Sequence, residues 1–229
     1  MKTLRSLTKV FALLGLIGAL LGTTSARASV LNYLVDINTS ALVGNSAGPF
    51  SLDLQSNWGF NNPVSPITLS NFTFTGGSLT GSATVAHGSP TGDLSSSLVF
   101  TANTANPLNE IFQQFTGGVT DIKFNLSLTT TSTVLTPTSF SAAILDGSTF
   151  NIFTTAPDGS DSMVFASIDG INTTISAYNS TVAGSTTTGV TALVTAIPEP
   201  SAYAGILGAC ALTAGLCRRL RRNIAPVNA

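Results

Sequence analysis

The ionisable side chains of this 229-residue chain allow few kinds of catalysis. It has one histidine, His87, and both of its cysteines, Cys210 and Cys217, lie in an apolar segment near the C-terminus. One histidine cannot build a histidine-based metal centre, and no Gly-x-Ser-x-Gly turn is present to expose a serine. Two carboxylates could still act as the acid and base of glycoside cleavage. The candidates are Asp36, Asp53, Asp93, Glu110, Asp121, Asp146, Asp158, Asp161 and Asp169.

Most of these carboxylates stand beside glycine, proline or the end of a predicted strand, where aspartate is common because it stabilises turns. We therefore expect no enzymatic activity, no cofactor and no metal site. The sequence Asp158-Gly159-Ser160-Asp161 is the best candidate for a calcium loop. It lacks the further ligands of an EF-hand.

The C-terminal residues indicate a different chemistry, enzymatic processing of the chain itself. Pro198-Glu199-Pro200 precedes an uncharged run of sixteen residues from Ala202 to Cys217. Both prolines fix φ and lack an amide hydrogen, so the motif stays extended and open to an enzyme. The run makes a helix of about 24 Å, shorter than a hydrocarbon core of about 30 Å, and is a marginal membrane span.

A basic cluster follows this run and predicts where transfer across the membrane stops. Its members are Arg218, Arg219, Arg221 and Arg222. Because basic residues stay on the cytoplasmic side, residues 223–229 are expected to form a cytoplasmic tail and Glu199 to lie on the outer face. A permanent single-pass anchor is the alternative to a processed tail.

The N-terminus predicts a secretory signal peptide over residues 1–28. Three basic residues precede an apolar run from Val10 to Leu21, and Ala26 and Ala28 supply the small side chains that signal peptidase requires. We place cleavage after Ala28, so that Ser29 begins the mature chain. Twelve apolar residues are too few to span a membrane, which makes an uncleaved anchor the weaker alternative.

The region between these two ends is strongly acidic. Lys123 is the only one of the nine basic residues between Ser29 and Pro200, whereas all ten acidic residues lie there. One positive against ten negative charges gives a net charge of −9 with His87 neutral. Nucleic acid and anionic membranes are poor partners for such a surface. The region also has no cysteine, so no internal disulfide can stabilise it.

A two-residue period of apolar side chains predicts β-strands in this exported region. The clearest strands are 31–37, 50–54 and 122–128, and further ones are predicted at 67–74, 79–85, 94–101, 139–145, 148–153, 162–168, 173–178 and 190–195. Short, numerous strands rich in Thr, Ser, Val and Phe favour an all-β fold. We expect an antiparallel two-sheet sandwich of the jelly-roll type over residues 29–179, with a barrel as the alternative.

Two glycine-containing pairs are predicted to form primed hairpin turns, because both accept positive φ angles. They are Gly76-Gly77 and Asp146-Gly147.

Residues 107–115 break the two-residue period and predict a short helix. Apolar residues from Leu108 to Phe115 fall at i, i+3, i+4 and i+7. Asn106 suits the N-cap, Pro107 the first helical position and Gly117 the C-terminal end. We expect this helix to cover one end of the sandwich.

Residues 180–196 allow two interpretations. Six of the nine residues from Ser180 to Thr188 are Ser or Thr, which is typical of a polar spacer between a folded domain and a membrane. The segment from Val190 to Thr195 alternatively forms a last edge strand.

The order of Pro-Glu-Pro, apolar run and arginine cluster over residues 197–222 resembles the PEP-CTERM sorting signal of exported Gram-negative proteins. The body is similar to an uncharacterised PEP-CTERM family through residues 36–42, 76–79, 112–115 and 157–159. The resemblance implies that exosortase, a membrane transpeptidase, recognises Pro198, Glu199 and Pro200. It also implies that the tail is removed and that the protein reaches an extracellular polysaccharide matrix.

We therefore expect a secreted, non-enzymatic protein of the cell surface or the biofilm matrix. Its expected partners are exosortase, extracellular polysaccharide, and the membrane through a transient C-terminal helix. The alternative is a carbohydrate-binding module or adhesin, with Trp58 as the contact, because aromatic faces stack on sugar rings. A tryptophan buried in the core is the competing interpretation of Trp58. A glycosidase ranks third.

Overall fold

The computed structural model describes residues 29–59, 66–101, 107–130, 137–170, 172–181, 189–198, 208 and 210–215. The predicted signal peptide, including Ala26 and Ala28, lies outside these residues, as do Glu199, Pro200 and the four arginines. Of the predicted C-terminal helix, residues 208 and 210–215 are described, and they are helical and exposed. None of the described helical residues forms a stretch long and apolar enough for a membrane crossing.

The described residues form twelve strands and one turn of 3-10 helix, Ser40–Leu42. In chain order the strands are β1 (Val30–Asn38), β2 (Ser51–Asn57), β3 (Ile67–Thr75), β4 (Thr84–His87), β5 (Thr91–Gly92), β6 (Ser97–Phe100), β7 (Leu108–Gln114), β8 (Asp121–Thr129), β9 (Thr138–Leu145), β10 (Val164–Asp169), β11 (Asn172–Ala177) and β12 (Thr191–Ile197).

The strands form two antiparallel sheets of six strands each. Sheet A has the order β12-β1-β8-β3-β6-β5, and sheet B has the order β11-β10-β9-β2-β7-β4. The pairs β1·β8, β2·β7 and β3·β6 are nested in sequence, so these six strands are arranged as a ribbon doubled on itself. The prediction of an all-β, two-sheet antiparallel fold is confirmed.

One apolar layer between the two sheets forms the core. Alternate side chains of β1 and β8 enter it from sheet A, among them Ile37 and Phe124, and those of β2 and β9 enter it from sheet B, among them Leu54 and Phe140. All four are fully buried. A buried side chain of this size contributes about 1.5–3 kcal/mol, and no disulfide supports the layer, so burial is the main stabilising term.

The predicted helix at 107–115 is wrong, because residues Leu108–Gln114 form strand β7. This strand pairs with β2 on one side and with β4 on the other. Its apolar residues follow the helical period and divide between the two faces of the strand. An isolated helix of about nine residues is nevertheless marginal, whereas a strand here gains partners along both edges. Ile111 consequently faces the core, and Phe112 faces outward with Glu110.

The Gly76-Gly77 hairpin is also wrong. Gly76 has a φ of +80°, but the chain leaves sheet A there and reaches the edge of sheet B, where Leu79 forms a β-bridge with Phe115. A Cβ at Gly76 would lie 2.5 Å from the carbonyl oxygen of Gly118. The glycine pair therefore permits a close backbone approach at a crossing between sheets.

The turn at Asp146-Gly147 differs from the predicted two-residue hairpin. The residue with a positive φ, 65°, is Thr149. The pairing that follows is a single β-bridge between Leu145 and Asn151, so the strand predicted at residues 148–153 does not form. The carboxylate of Asp146 sets this geometry, because its Oδ1 accepts from the backbone N–H groups of Ser148 at 2.9 Å and Phe150 at 3.0 Å.

Residues 190–197 belong to the folded domain. Strand β12 pairs with β1 from Asn38 opposite Thr191 to Asn32 opposite Ile197, as the edge-strand interpretation requires. Val190 is fully buried, and its N–H donates to the Oγ of Ser180 at 2.9 Å. The sheet thus continues past the predicted boundary at residue 179. Residues 182–188 of the predicted spacer lie outside the described residues.

We predict that a shortened chain of residues 29–198 melts cooperatively, with or without reductant. Ending the chain at residue 181 removes β12 and the buried Val190. This loss should cost at least about 3 kcal/mol and lower the Tm by roughly 6–12 °C. Circular dichroism melts of the two chains measure the difference. Equal melting temperatures would contradict a structural role for β12.

Candidate functional site

A cleft of about 760 Å³ lies on the outer face of sheet B. Its floor is formed by side chains of β2 and β7, chiefly Asp53, Gln55, Glu110 and Phe112. Its wall is the irregular segment 146–161 between β9 and β10, which contributes Asp146, Phe150, Phe153 and Asp161.

Strand alternation explains why the floor is polar. Leu52 and Leu54 point into the core, so the intervening Asp53 and the following Gln55 point away from it. The register of β2 with β7 places Asp53 opposite Phe112 and Gln55 opposite Glu110. Cross-strand partners share a face of the sheet, so these side chains converge on one surface.

A polar network crosses three strands on this floor. The Nε2 of Gln55 donates to Oδ2 of Asp53 at 2.7 Å and to Oε1 of Glu110 at 3.4 Å. Because both carboxyls contact the same nitrogen at those distances, their nearest oxygens lie within about 6 Å of each other. Oε2 of Glu110 lies 3.6 Å from Nε2 of His87 on β4. The network thus runs from β2 through β7 to β4.

Asp53 is the most perturbed group of the network. Its residue is only 1% exposed, and its Oδ1 has no hydrogen-bond partner among the described residues. Burial raises the pKa of Asp53 to about 7, and the negative charge of Glu110 adds to the rise, while hydrogen bonds from Gln55 and the Leu54 backbone oppose it. A buried acceptor without a partner is costly, so the floor holds an unsatisfied polar atom next to the cleft.

The wall presents two exposed aromatic side chains. Phe150 is 71% exposed and Phe153 is 59% exposed. The backbone that carries them is fixed by hydrogen bonds, since the N–H of Asp146 donates to the carbonyl of Phe150 at 2.8 Å and that of Thr154 to Oδ1 of Asp161 at 3.0 Å. The cleft therefore combines apolar ring faces with carboxylate and amide groups.

This arrangement suits binding better than glycoside hydrolysis. A glycosidase holds its two carboxyls on either side of the scissile bond. Here the Gln55 amide lies between Asp53 and Glu110, where that bond would have to be. Hydrolysis by this pair is therefore not supported. A ligand that enters the cleft and donates hydrogen bonds would instead find the carboxyl oxygens of Asp53 and Glu110 as acceptors.

Trp58, the residue predicted as a carbohydrate contact, lies in the core. It is 4% exposed and belongs to the apolar layer between the sheets. Its backbone N–H donates to the carbonyl of Pro107 at 3.0 Å, which fixes the end of β2. A stacking role for its ring is contradicted, and the competing core interpretation is confirmed. The exposed aromatics are instead Phe150 and Phe153, which sequence reasoning had placed in a strand.

The segment 158–161 is a turn stabilised by its own side chains. Oδ1 of Asp158 accepts from the N–H of Ser160 at 3.1 Å, and the hydrogen bonds from the Ser160 hydroxyl and N–H hold the pKa of Asp158 below its usual value. Asp161 instead accepts from Thr154. Within the described ranges, no three His, Cys, Asp or Glu side chains are grouped so as to hold a metal ion.

Lys123 lies on the outer face of sheet A, in the other sheet from the cleft. Its Nζ contacts Oδ2 of Asp36 and Oδ2 of Asp121, the latter at 2.8 Å. Burial raises the pKa of Asp36, but the hydrogen bond from Lys123, the contact with Asp121 and the positive charge of Lys123 outweigh it and lower that pKa. The hydrogen bond to Asp121, with that to Asp36, raises the pKa of Lys123. The charge of Lys123, the only Lys or Arg between Ser29 and Pro200, is thus compensated by two neighbouring carboxylates.

The sorting residues are mostly beyond the described part of the chain. Pro198 is exposed and directly follows β12. Ser29, the predicted first mature residue, is ordered against β8, since its N–H donates to Oγ1 of Thr130 at 3.0 Å and its carbonyl accepts from the N–H of Thr130 at 2.9 Å.

We predict that Asp53→Asn becomes more favourable to stability as the pH rises. The pKa of Asp53 is about 7 in the folded state and near 4 in the unfolded state. The stability that the protonated carboxyl gives the fold is therefore fully present below about pH 4, and it is lost as the pH rises from about 4 to about 7. Asparagine does not ionise and mimics the protonated acid. The variant should gain roughly 2–4 kcal/mol relative to the wild type across that window, measured by denaturation followed through Trp58 emission. A difference independent of pH would contradict the raised pKa.

Comparison with known proteins gives no relatives for this chain. No protein-family model matches it, and neither a curated protein nor a solved structure gives a significant match.

Proposed function

We propose that this protein is an exported, non-enzymatic carbohydrate-binding protein of the cell surface or extracellular polysaccharide matrix, and that the cleft on sheet B holds the carbohydrate. The observation that carries the proposal is the position of two exposed phenylalanines, Phe150 and Phe153, beside a floor of carboxylate and amide groups.

Sugars present both apolar ring faces and hydroxyl groups, so a site for them needs both kinds of partner. Exposed aromatic rings stack on the ring faces, and planar polar side chains such as those of Gln55, Glu110 and Asn151 exchange hydrogen bonds with hydroxyls. Two large apolar side chains exposed at one cleft, with polar groups beside them, are typical of ligand-binding grooves. The cleft volume of about 760 Å³ is within the range of small-molecule and oligosaccharide sites.

The strand order supports a jelly-roll-type winding. The nested pairs give β1-β8-β3-β6 in sheet A and β2-β7-β4 in sheet B, which is the order of a ribbon wrapped into two facing sheets. Strands β9, β10 and β11 then extend sheet B, and β12 returns to sheet A. Lectin domains use this architecture. The fold is an analogy only, because one architecture hosts many functions.

Export and sorting are proposed from the two ends of the chain. Strand β12 ends at Ile197, and the exposed Pro198 cannot continue the ladder because it lacks an amide hydrogen. The proposed exosortase motif Pro198-Glu199-Pro200 therefore begins directly outside the folded sheet. Cleavage near the motif would leave the domain intact, with its C-terminus at an edge strand.

We predict that Phe150→Ala and Phe153→Ala weaken binding to matrix polysaccharides. Since one stacked aromatic contributes about 1 kcal/mol, the double variant should bind roughly tenfold to a hundredfold more weakly, with a Tm close to that of the wild type because both rings are mostly exposed. Leu193→Ala is the matched control, since Leu193 is 62% exposed but lies on β12 of sheet A. Calorimetry with a panel of neutral, acidic and basic polysaccharides measures the effect.

Two outcomes would count against this site. Equal loss for Leu193→Ala would indicate a general surface effect. No binding of any polysaccharide by the wild type would leave a matrix protein without a carbohydrate site.

We predict that Glu199→Ala blocks processing of the tail. In a host with exosortase, the wild-type protein should lack residues 218–229 by mass spectrometry, because the extended Pro-Glu-Pro motif is accessible at the outer membrane face. The variant should accumulate as a longer, membrane-bound precursor. Recovery of wild-type protein with Ala229 intact, from a host that processes other tagged proteins, would establish an ordinary anchor instead.

A further inference from the structure

The cleft is lined by four carboxyl groups, and their basic neighbour is the imidazole of His87, whose Nε2 lies 3.6 Å from Oε2 of Glu110. Asp53 and Glu110 lie on the floor, and Asp146 and Asp161 lie on the wall. No lysine or arginine is among the described residues that line it. Lys123, the only Lys or Arg between Ser29 and Pro200, is held by Asp36 and Asp121 in the other sheet. Within the described part of the domain, no lysine or arginine therefore compensates the negative charge of the cleft.

A second, independent observation indicates that the floor requires a hydrogen-bond donor. Asp53 is only 1% exposed, and its Oδ1 has no hydrogen-bond partner within the described part of the chain. Gln55 already donates to the other oxygen, Oδ2, so the second oxygen needs a donor from elsewhere. When this carboxyl is ionised, only a group that donates hydrogen bonds can satisfy that oxygen, and a cation beside it favours the ionised form.

The aromatic wall narrows the chemistry of that donor. The faces of Phe150 and Phe153 carry partial negative charge and attract cations that come within about 6 Å. Aromatic rings next to carboxylates are the combination that recognises ammonium groups. A carboxylated or sulfated sugar would face both the four carboxyl groups and the negative ring faces, and repulsion between like charges disfavours its binding.

We infer that the cleft selects a cationic glycan, a polymer of sugars with free amino groups, over neutral and anionic polysaccharides. This inference rests on the proposed carbohydrate-binding function and names its ligand class. Each protonated amine offers three donors and one positive charge, which matches the unsatisfied floor and the carboxylate lining, while the sugar rings supply faces for Phe150 and Phe153.

The test compares two oligosaccharides that differ only in acetylation. The full chain, purified in a non-ionic detergent, is titrated with oligomers of glucosamine and, separately, with oligomers of N-acetylglucosamine of equal length. At about pH 6 the free amines are protonated, and the amino form should bind at least about tenfold more tightly. The advantage should shrink as salt is added, because added ions screen charge pairs.

Charge-removing variants locate the effect in the cleft. Glu110→Gln and Asp146→Asn should each reduce the preference for the amino form several-fold, because each removes one negative charge while an amide oxygen remains to accept the hydrogen bonds of the carboxylate. Asp169→Asn is the matched control, since it removes the same charge from an exposed position at the end of β10, outside the cleft lining. Equal effects of all three variants would show a long-range effect of net charge and overturn the assignment to the cleft.

The remaining outcomes separate this inference from the proposed function. Equal binding of the two oligomers, or tighter binding of an acidic polysaccharide, would overturn the cationic preference and leave carbohydrate binding in place. Oligolysine is a control for charge attraction alone. If it binds as tightly as the amino sugar, and if Phe150→Ala does not weaken that binding, the cleft selects positive charge and not a sugar, and the inference is overturned. Failure of every glycan to bind would overturn both proposals.

Discussion

The register of strand β2 is the constraint on which both the fold and the cleft depend. Leu52 and Leu54 point into the apolar layer between the sheets. Asp53 and Gln55, which alternate with them along the strand, point to the opposite face and form part of the cleft floor. A slip of one residue would move the carboxylate into the core and the leucines into solvent. Pairing with β7 and β9 on both sides fixes the register, so core packing also positions the polar network.

The same packing accounts for the unusual state of Asp53. A central strand flanked by two others leaves little access to solvent, and the carboxyl is buried without a complete set of hydrogen bonds. Such a group destabilises the free domain, and the cost is tolerated because the apolar layer beneath it is large and continuous. An unsatisfied buried polar atom calls for an explanation, and a ligand in the cleft that donates a hydrogen bond to it would supply one.

Much of the fold follows from the alternation of side chains along single strands, whereas strand pairing does not. The period of two in residues 122–128 gives strand β8 and its buried face directly. Residues 107–115 fit a helix equally well, and only the free edges of β2 and β4 decide in favour of a strand. The cleft depends on that decision, because Glu110 and Phe112 share its floor only if β7 is extended. The exposure of aromatic rings is equally hard to predict from the sequence, since Trp58 is buried and Phe150 is exposed. What packs over a ring decides its exposure, and its neighbours in sequence do not.

The two ends of the chain, if removed as proposed, change the electrostatics of the protein. The precursor has a formal charge of −1, because eight of its nine basic residues lie outside the exported region. The exported region alone has a charge of −9, with Lys123 already paired. Copies of such a domain repel one another, so the domain stays soluble after release and has little tendency to self-associate. Its retention in a matrix would then require a partner of opposite charge, and the cleft is where four of its carboxylates are already gathered beside apolar surface.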